Sequence, residues 1–341
     1  MKVHEPLHDM RYTHLAPSAP TNDPSVVRTR MRAARATIAR AATCPRARRA
    51  PTMSARARDV ADDASSTASW CRYEGRFLSS SEAAALDEDL IAGVGCEASS
   101  LESLMRTAGK NAATATLARA VGHERFVVLC GPGNNGGDGL VLAREVATRR
   151  ETSEVKVWYP KGPGKSELYA KLVDECRETR GLTFVDEEEV LKMMDARETR
   201  CFVDAMFGFS FRGEVRAPFV EVMKKLTALT NGVCADLDER ALFTVSLDIP
   251  SGWNVDGAPS GGEVFTPNLL ISLTAPKKCC ATFDDPALGE RTPRMKRMAQ
   301  THVVAGTFLT EEMCEKYGLR AIPLRHDSVE EYAPLDLSRK E

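Results

Sequence analysis

Short apolar runs alternate with segments of helical spacing along most of this chain. Residues 125–308 contain six runs with strand character, and the intervening segments repeat apolar residues at helical spacing. The strand runs are RFVVLC, EVKVWYP, CFVDAMFG, LFTVSLDIPSG, NLLISLTAPK and HVVAGTF. Alternating strands and helices predict crossover units, and therefore an α/β fold with a mainly parallel sheet and helices on both faces.

Two helices are predicted to precede the first strand. Ser79 and the serines after it supply an N-cap followed by Glu82, and Ala and Leu residues then recur at helical spacing. A second helix is predicted over residues 99–120, where Leu101, Leu104 and other apolar residues are three or four positions apart.

The N-terminal segment differs in composition from the rest of the chain. Residues 25–58 contain ten arginines and no Asp or Glu, with Ala, Ser and Thr between them. This composition is typical of an organelle transit peptide, for a mitochondrion or a chloroplast, and shows most clearly from Met31 onward. Met31 and Met53 are alternative starts, and the cytosol is the alternative location for a protein made from an internal start. A basic arm for nucleic acid is the rival interpretation. However, the arginine-rich segment lacks aromatic residues for base stacking, and the acidic remainder of the chain would repel phosphates.

Cysteine, histidine and hydropathy patterns exclude several other classes. The ten cysteines form no C-x-x-C pair, and several lie in apolar stretches, which predicts reduced, buried thiols. The histidines are too scattered for a zinc site. No apolar run is long enough to span a membrane.

Polar residues follow or interrupt three of the predicted strands. The first strand ends in GPGNNGGDG, the third contains Asp204, and the fourth ends at Asp248 before a Pro-Ser-Gly turn. Ligands of open parallel sheets bind beyond the carboxyl ends of the strands, and a carboxylate in an apolar run is costly unless it is paired, metal-bound or reactive. Each aspartate could instead cap a helix or hold a loop. Two of them beside a glycine loop favour a functional site.

The glycine loop has the spacing of a dinucleotide-binding loop but lacks its usual companion. Gly131, Gly133 and Gly136 form G-x-G-x-x-G, yet the next strand ends in WYPK, with no acid to hold a ribose. The loop also has no Walker lysine. Its backbone amides suit an anion, and the side chains of Asn134 and Asn135 offer oxygen ligands for a cation.

Four segments together resemble one known family. The motifs GPGNNGGDGLVLAR, VDAMFGFSFRGEVRAPF, LDIPSGWNVDG and PNLLISLTAPK, in this order, are similar to those of the NAD(P)H-hydrate epimerases, the YjeF N-terminal domain family. The resemblance extends over residues 77–324. It implies a Rossmann-like three-layer α/β/α sandwich with leading N-terminal helices. Together with the composition of the N-terminal segment, it divides the chain into a disordered extension with the transit peptide over residues 1–70, an epimerase domain over 71–325 and a C-terminal tail over 326–341.

The resemblance also implies an activity and a set of site residues. The activity is an isomerase reaction that interconverts the R and S epimers of NADHX and NADPHX, hydrated at C6 of the nicotinamide ring, for repair by an S-specific dehydratase. The family binds potassium, no redox cofactor is needed, and the matching ligands are Asn135, Asp204 and Ser251. The matching substrate-binding residues are Asn134, Asn135, Gly136, Gly137, Asp138, Gly208, Phe209, Ser210, Phe211, Arg212, Gly213, Glu214 and Asp248.

Roles for these residues follow from the chemistry of the reaction. We expect Asp248 to act as the catalytic acid/base, Asp204 to hold potassium and position the pyrophosphate, and the amides of Gly136 and Gly137 to bind phosphate. The rival functions are a non-catalytic scaffold or binding module of the same fold and an NAD(P)-dependent oxidoreductase.

Two positions depart from the family pattern. Arg106 stands where a glutamate is usual, and Thr307 where an arginine is common. Both bear on packing or self-association rather than on the core motifs. The family implies a homodimer, and the dehydratase is expected to be a separate protein.

Overall fold

The structure is a computed structural model. It describes residues 76–94, 100–196, 200–230, 242–257, 265–282, 301–305, 309–319 and 335–336. The predictions for residues 1–70, including the starts at Met31 and Met53, and the prediction for Thr307 lie outside these residues.

Eight strands and seven helices are described, with one short 3-10 helix at Lys278–Thr282. The strands are β1 (Arg125–Cys130), β2 (Glu154–Trp158), β3 (Leu182–Val185), β4 (Arg200–Ala205), β5 (Leu242–Leu247), β6 (Leu269–Leu273), β7 (Thr301–Ala305) and β8 (Leu335–Asp336). The helices are α1 (Ser80–Ile91), α2 (Leu101–Arg119), α3 (Asn134–Arg149), α4 (Glu167–Glu178), α5 (Glu187–Asp195), α6 (Phe219–Thr230) and α7 (Glu311–Tyr317).

The strands form one sheet in the order β3-β2-β1-β4-β5-β6-β7-β8. The first seven are parallel to their neighbours, and β8 pairs antiparallel with β7. The order reverses between β1 and β4, which makes the carboxyl ends of these two strands the topological switch point where α/β sheets bind ligands. β8 also shows that the predicted C-terminal tail contributes a strand to the sheet.

Each face of the sheet has its own hydrophobic core. One core packs buried residues of α2, α3 and α4 against the sheet, including Ala112, Leu140 and Leu172. The other packs α5 and α6 against the opposite face through residues such as Met194 and Leu226. The predicted three-layer α/β/α sandwich is therefore confirmed.

The predicted start of the first helix is also confirmed. Ser79 and Glu82 form the predicted capping box at the start of α1. None of the described helices is long and apolar enough to cross a membrane. The six described cysteines are buried and form no disulfide with one another: Cys130, Cys176, Cys201, Cys279, Cys280 and Cys314.

Other local predictions were incomplete or wrong. The sequence pattern did not predict β3 and α5, which are four and nine residues long, because such short elements show little periodicity. Pro218 lies before α6 rather than in its first turn, since the helix begins at Phe219. The helix α3 begins at Asn134, so the asparagine pair and the glycines after it are helical.

Candidate functional site

A cavity of about 130 Å³ opens at the carboxyl ends of the central strands. Seven residues implicated by the sequence line it, namely Asn134, Asn135, Asp138, Gly208, Phe209, Ser210 and Asp248. Residues that were not predicted complete the wall: Asp87, Leu90, Ile91, Leu101, Leu104, Met105, Ala108, Leu273, Thr274 and Lys277. The cavity therefore combines an apolar wall from α1 and α2 with a polar floor of strand ends.

The glycine loop brings β1 close to β4 and turns directly into α3. The Gly131 amide donates to the Ala205 carbonyl at 3.0 Å, and a Cβ on Gly131 would come within 1.7 Å of the Met206 carbonyl oxygen. A Cβ on Gly136 would likewise lie 1.8 Å from the Gly131 carbonyl oxygen. These two glycines are required for close backbone approach.

Some backbone amides of the glycine loop form hydrogen bonds within α3, and others have no acceptor within the helix. The Gly137 N–H, which was predicted to bind phosphate, donates to the Gly133 carbonyl at 3.2 Å. The first turn of a helix leaves its amides without intrahelical acceptors. The anion-binding capacity of α3 is therefore that of the residues from Asn134 to Gly136.

Asp204 is the fully buried centre of a hydrogen-bond network. Its carboxylate accepts from the Ser251 hydroxyl at 2.6 Å and from the Ser251 amide at 2.8 Å. It also accepts from the Ser246 hydroxyl at 3.0 Å and the Met206 amide at 3.2 Å. Burial raises the pKa of Asp204, and these donors, Ser251 foremost, oppose the rise. The network joins β4, β5 and the Pro-Ser-Gly turn.

Asn135 carries an oxygen that lacks a partner. The side chain is buried, and its Nδ2 donates to the Leu247 carbonyl at 3.4 Å. Its Oδ1 has no hydrogen-bond partner among the described residues. The structure thus joins Asp204 directly to Ser251, while Asn135 presents a buried neutral oxygen from the neighbouring helix.

Asp248 lies in a tight turn at the end of β5. Its φ is 67°, and the Ile249 amide donates to the Leu247 carbonyl at 2.8 Å across it, which is the hydrogen bond of a γ-turn. The carboxylate accepts from the Phe209 amide at 2.7 Å. Its other oxygen forms an ion pair with the buried ammonium of Lys277. The turn and these two contacts fix the carboxylate in the cavity wall.

Lys277 supplies the positive charge of the cavity. Its Nζ donates to the Leu273 carbonyl at 2.9 Å and lies 5.2 Å from the centre of the Phe209 ring. Burial opposes its ionisation, but Asp248 and then Asp87 outweigh burial and raise the pKa of Lys277. The lysine is therefore charged and paired.

Two further carboxyl groups share the cavity. Burial, followed by repulsion from Asp248 and Asp87, raises the pKa of Asp138 well above its usual range. Burial raises the pKa of Asp87 to about 6, with Lys277 opposing and Asp248 reinforcing the rise. The cavity accordingly contains carboxyl groups in different protonation states near neutral pH, which is the arrangement that acid/base chemistry needs.

The segment after β4 contributes only part of its predicted length to the cavity. Gly208, Phe209 and Ser210 line the wall. The Phe211 ring instead stacks on Phe207, with ring centres 4.2 Å apart. The remaining predicted residues are exposed and outside the cavity lining: Arg212, Gly213 and Glu214.

Arg106 is accommodated by a partner of opposite charge. Its guanidinium donates to both carboxylate oxygens of Glu175, at 2.6 and 2.9 Å, and to Glu102 at 2.9 Å. Arg144 also contacts Glu175. The departure at position 106 thus links α2 to α4 through a bidentate ion pair.

The three polar residues among the unpredicted part of the cavity wall are Asp87, Thr274 and Lys277. Lys277 closes the NLLISLTAPK motif, and a lysine that ends an apolar run was the available signal. Thr274 carries a positive φ that no sequence pattern indicates for a threonine. Asp87 lies in a segment with helical spacing and looks like an ordinary surface acid.

Comparisons with known proteins agree with this architecture. The family model described as YjeF-related protein N-terminus matches residues 101–279. A protein of Aspergillus fumigatus named NAD(P)H-hydrate epimerase is 36% identical over 253 residues, which cover 72% of this chain and 90% of that protein.

An Arabidopsis thaliana protein and a solved structure add to the comparison. The Arabidopsis protein, named pyridoxine/pyridoxamine 5'-phosphate oxidase 1, chloroplastic, is 34% identical over 245 residues, covering 71% of this chain and 42% of that protein. The crystal structure of yeast YNL200c is 29% identical, with a TM-score of 0.61, and the match covers 75% of this chain and 98% of that one. This chain belongs to the YjeF-related protein N-terminus family.

Proposed function

We propose that this protein is an NAD(P)H-hydrate epimerase, an isomerase that interconverts the R and S epimers of NADHX and NADPHX in metabolite repair. The observation that carries the proposal is Asp248, fixed in the cavity wall by a γ-turn, the Phe209 amide and Lys277. The identity to the fungal protein of that name supports it.

The proposed reaction needs proton transfer but no electron transfer. Protonation of the C6 hydroxyl lets it leave as water, and the electron pair on the ring nitrogen forms a conjugated iminium. Water then adds to the other face of C6 and loses a proton, which gives the other epimer. Acid/base groups and negative charge near the cation accelerate such a step, so no redox cofactor takes part.

Asp248 has the properties of the base in this reaction. Its carboxylate accepts a hydrogen bond from the Phe209 amide and pairs with the Lys277 ammonium, and these two contacts hold it beside the cavity. A carboxylate held against the ring stabilises the iminium and accepts a proton from incoming water. The apolar wall of Leu104, Met105 and their neighbours limits water around it.

The dinucleotide part of the substrate fits the switch point between β1 and β4. The first turn of α3 offers backbone amides and the positive end of a helix dipole to a pyrophosphate. The same turn places the Asn134 and Asn135 side chains at the cavity. The substrate would thus have its phosphates at α3 and its damaged ring beside Asp248.

We also propose potassium as a bound ion, held by Asn135, Asp204 and Ser251. The buried Asn135 Oδ1 without a partner is the observation that supports a cation, and neutral and carboxylate oxygens suit a hard monovalent ion. No group of three His, Cys, Asp or Glu side chains suited to another metal occurs among the described residues. When bound, the ion would offset phosphate charge. Melting curves of the wild type and Asn135→Ala in KCl and in NaCl test this proposal.

The cellular setting is proposed on separate grounds. A separate S-specific dehydratase would consume the S epimer, since epimerisation alone regenerates no NAD(P)H. The arginine-rich residues 25–58 support import into a mitochondrion or a chloroplast, and the Arabidopsis relative is named chloroplastic. The family resemblance supports a homodimer, which sedimentation of the purified protein would test.

A coupled assay tests the proposed function. R-NADPHX is incubated with this protein and an excess of S-specific dehydratase, and NADPH is followed by its absorbance. We expect complete recovery of NADPH, faster than the spontaneous rate. A scaffold would leave the rate unchanged, and an oxidoreductase would consume NADPH when offered a substrate.

A further inference from the structure

Asp87 lies on α1, far in sequence from the strand-end motifs, and lines the same cavity as Asp248. Within the described part of the chain, no hydrogen bond or ion pair engages its carboxyl group, which is half-buried. The negative charge of Asp87 raises the pKa of Lys277 and that of Asp138, which come from two other parts of the chain. Asp87 is thus the cavity carboxyl with the most freedom to meet a ligand.

The charges of the cavity do not balance. Its titratable side chains are Asp87 on α1, Asp138 on α3, Asp248 after β5 and Lys277 after β6. One ammonium cannot neutralise three carboxylates in a partly buried space, and Lys277 is committed to Asp248. Burial and mutual repulsion therefore raise the pKa values of the other two carboxyl groups.

Asp138 and Asp87 differ in how far their pKa values are raised, and therefore in what they can do. Burial keeps Asp138 protonated well beyond its usual range, which suits a constant hydrogen-bond donor. Asp87 titrates with a pKa of about 6, so it can both release and regain a proton near neutral pH. Asp87 therefore combines a position in the cavity wall with reversible ionisation.

The proposed reaction requires two such groups. The C6 hydroxyl takes up a proton and leaves one face of C6 as water, and a second water adds to the other face and loses a proton. A single carboxylate fixed on a rigid turn serves one face of a bound ring. Asp248 is fixed in this way, so a proton donor on another wall of the cavity is needed.

We propose that Asp87 is a second catalytic residue of this site and acts as the acid/base partner of Asp248. This inference rests on the proposed function. Asp87 gives its proton to the C6 hydroxyl oxygen, the C6–O bond breaks with its electron pair on oxygen, and water departs. A second water forms the new C6–O bond and gives its proton to Asp248. The proton returns from Asp248 to Asp87 through solvent, and the opposite epimer reacts by the reverse sequence.

The test uses the coupled assay on the full chain. Asp87→Asn removes the transferable proton at nearly constant shape, and Asp87→Glu restores a carboxyl group. Glu88→Gln is the control, because it removes one acid from the exposed side of the same helix. Melting temperatures of all three variants establish that they fold. We expect Asp87→Asn to lower kcat by about 100-fold to 10,000-fold, with KM changed less than about threefold.

The rescue and the pH profile separate catalysis from a structural role. Asp87→Glu should recover part of kcat, and the change in kcat/KM near pH 6 should be absent in Asp87→Asn. If folded Asp87→Asn retains the wild-type kcat and pH profile, Asp87 is not catalytic. If the wild type itself does not accelerate epimerisation, the proposed function fails instead.

Discussion

Asp248 and Thr274 occupy equivalent turns at the ends of neighbouring strands. Both have a positive φ, 67° and 62°. Across each residue the following amide donates to the preceding carbonyl, from Ile249 to Leu247 at 2.8 Å and from Ala275 to Leu273 at 2.7 Å. Both residues line the cavity. A β-branched residue with positive φ is strained, and such strain persists where a site over-determines the backbone. The two turns therefore form a preorganised floor for the ligand.

Because of the strain at Thr274, we predict that glycine at this position is more stable than alanine, the reverse of the usual order. At ordinary positions in regular structure, Gly is less stable than Ala by about 0.5 to 1 kcal/mol. At Thr274 the Cβ of Ala retains the steric cost of positive φ, so Thr274→Gly should be more stable than Thr274→Ala by about 1 kcal/mol. Urea unfolding of the two variants measures the difference. Greater stability of the alanine variant would show that the turn is not strained.

Asp204 is expected to stabilise the fold as well as the site. Asp204→Asn would turn an amide nitrogen toward donors that now meet a carboxylate oxygen, including the Ser251 amide. We expect the free energy of unfolding to fall by about 2 to 4 kcal/mol. Ser246→Ala, which removes one of the four donors, should cost about 1 kcal/mol. Chemical denaturation measures the free energy of unfolding of both variants. Equal decreases for Asp204→Asn and Ser246→Ala would contradict the central position of Asp204 in the network.

Asp87 should make stability depend on pH. Its pKa of about 6 in the folded protein exceeds the value of about 3.9 for a free aspartate. The folded state therefore binds more protons between pH 4 and pH 6, and stability falls as pH rises through this window. Lys277, Asp248 and Asp138 are the charged or titratable groups around it.

Asp87→Asn removes this dependence. The stability of the variant relative to wild type should increase from pH 4 to pH 6 and then stay constant, as measured by denaturation at each pH. If the difference in unfolding free energy between Asp87→Asn and the wild type does not change with pH, the pKa of Asp87 in the folded protein has its ordinary value.

The ion pair of Arg106 with Glu175 should show measurable coupling. Both side chains are 24% exposed and the contact is bidentate, so we expect a coupling free energy of about 1 to 2 kcal/mol in a double-mutant cycle of alanine variants. The exposed pair Arg177 and Asp174 is the control, for which we expect less than about 0.5 kcal/mol. Equal couplings would mean that Arg106 contributes no more than a surface charge.

Much of the fold and the strand-end chemistry could be predicted from sequence. The apolar runs identified six of the seven parallel strands, because buried parallel strands are continuously apolar. Asp204 and Asp248 stood out since a carboxylate in such a run requires an explanation. The short β3 and α5 carried too few residues for a periodic signal.

Long-range contacts account for what sequence did not indicate. Asp87 and Lys277 are 190 positions apart, and only the packing of α1 over the strand ends brings them to one cavity. Glu175 compensates Arg106 from another helix, which no reading of the LMRTAG segment could show. The Gly137 amide is hydrogen-bonded to the Gly133 carbonyl because the helix begins at Asn134. The spacing of the glycines alone does not predict where this helix begins.

The most direct measurement follows purified R-NADPHX in water enriched in oxygen-18, with and without this protein. Epimers are separated by chromatography and their masses determined. We predict that the protein accelerates the appearance of the S epimer, that each new S molecule carries one oxygen-18, and that Asp248→Asn abolishes the acceleration. An epimer ratio that changes no faster with well-folded protein than without it would contradict the epimerase function. Accelerated conversion without the label would contradict the iminium route.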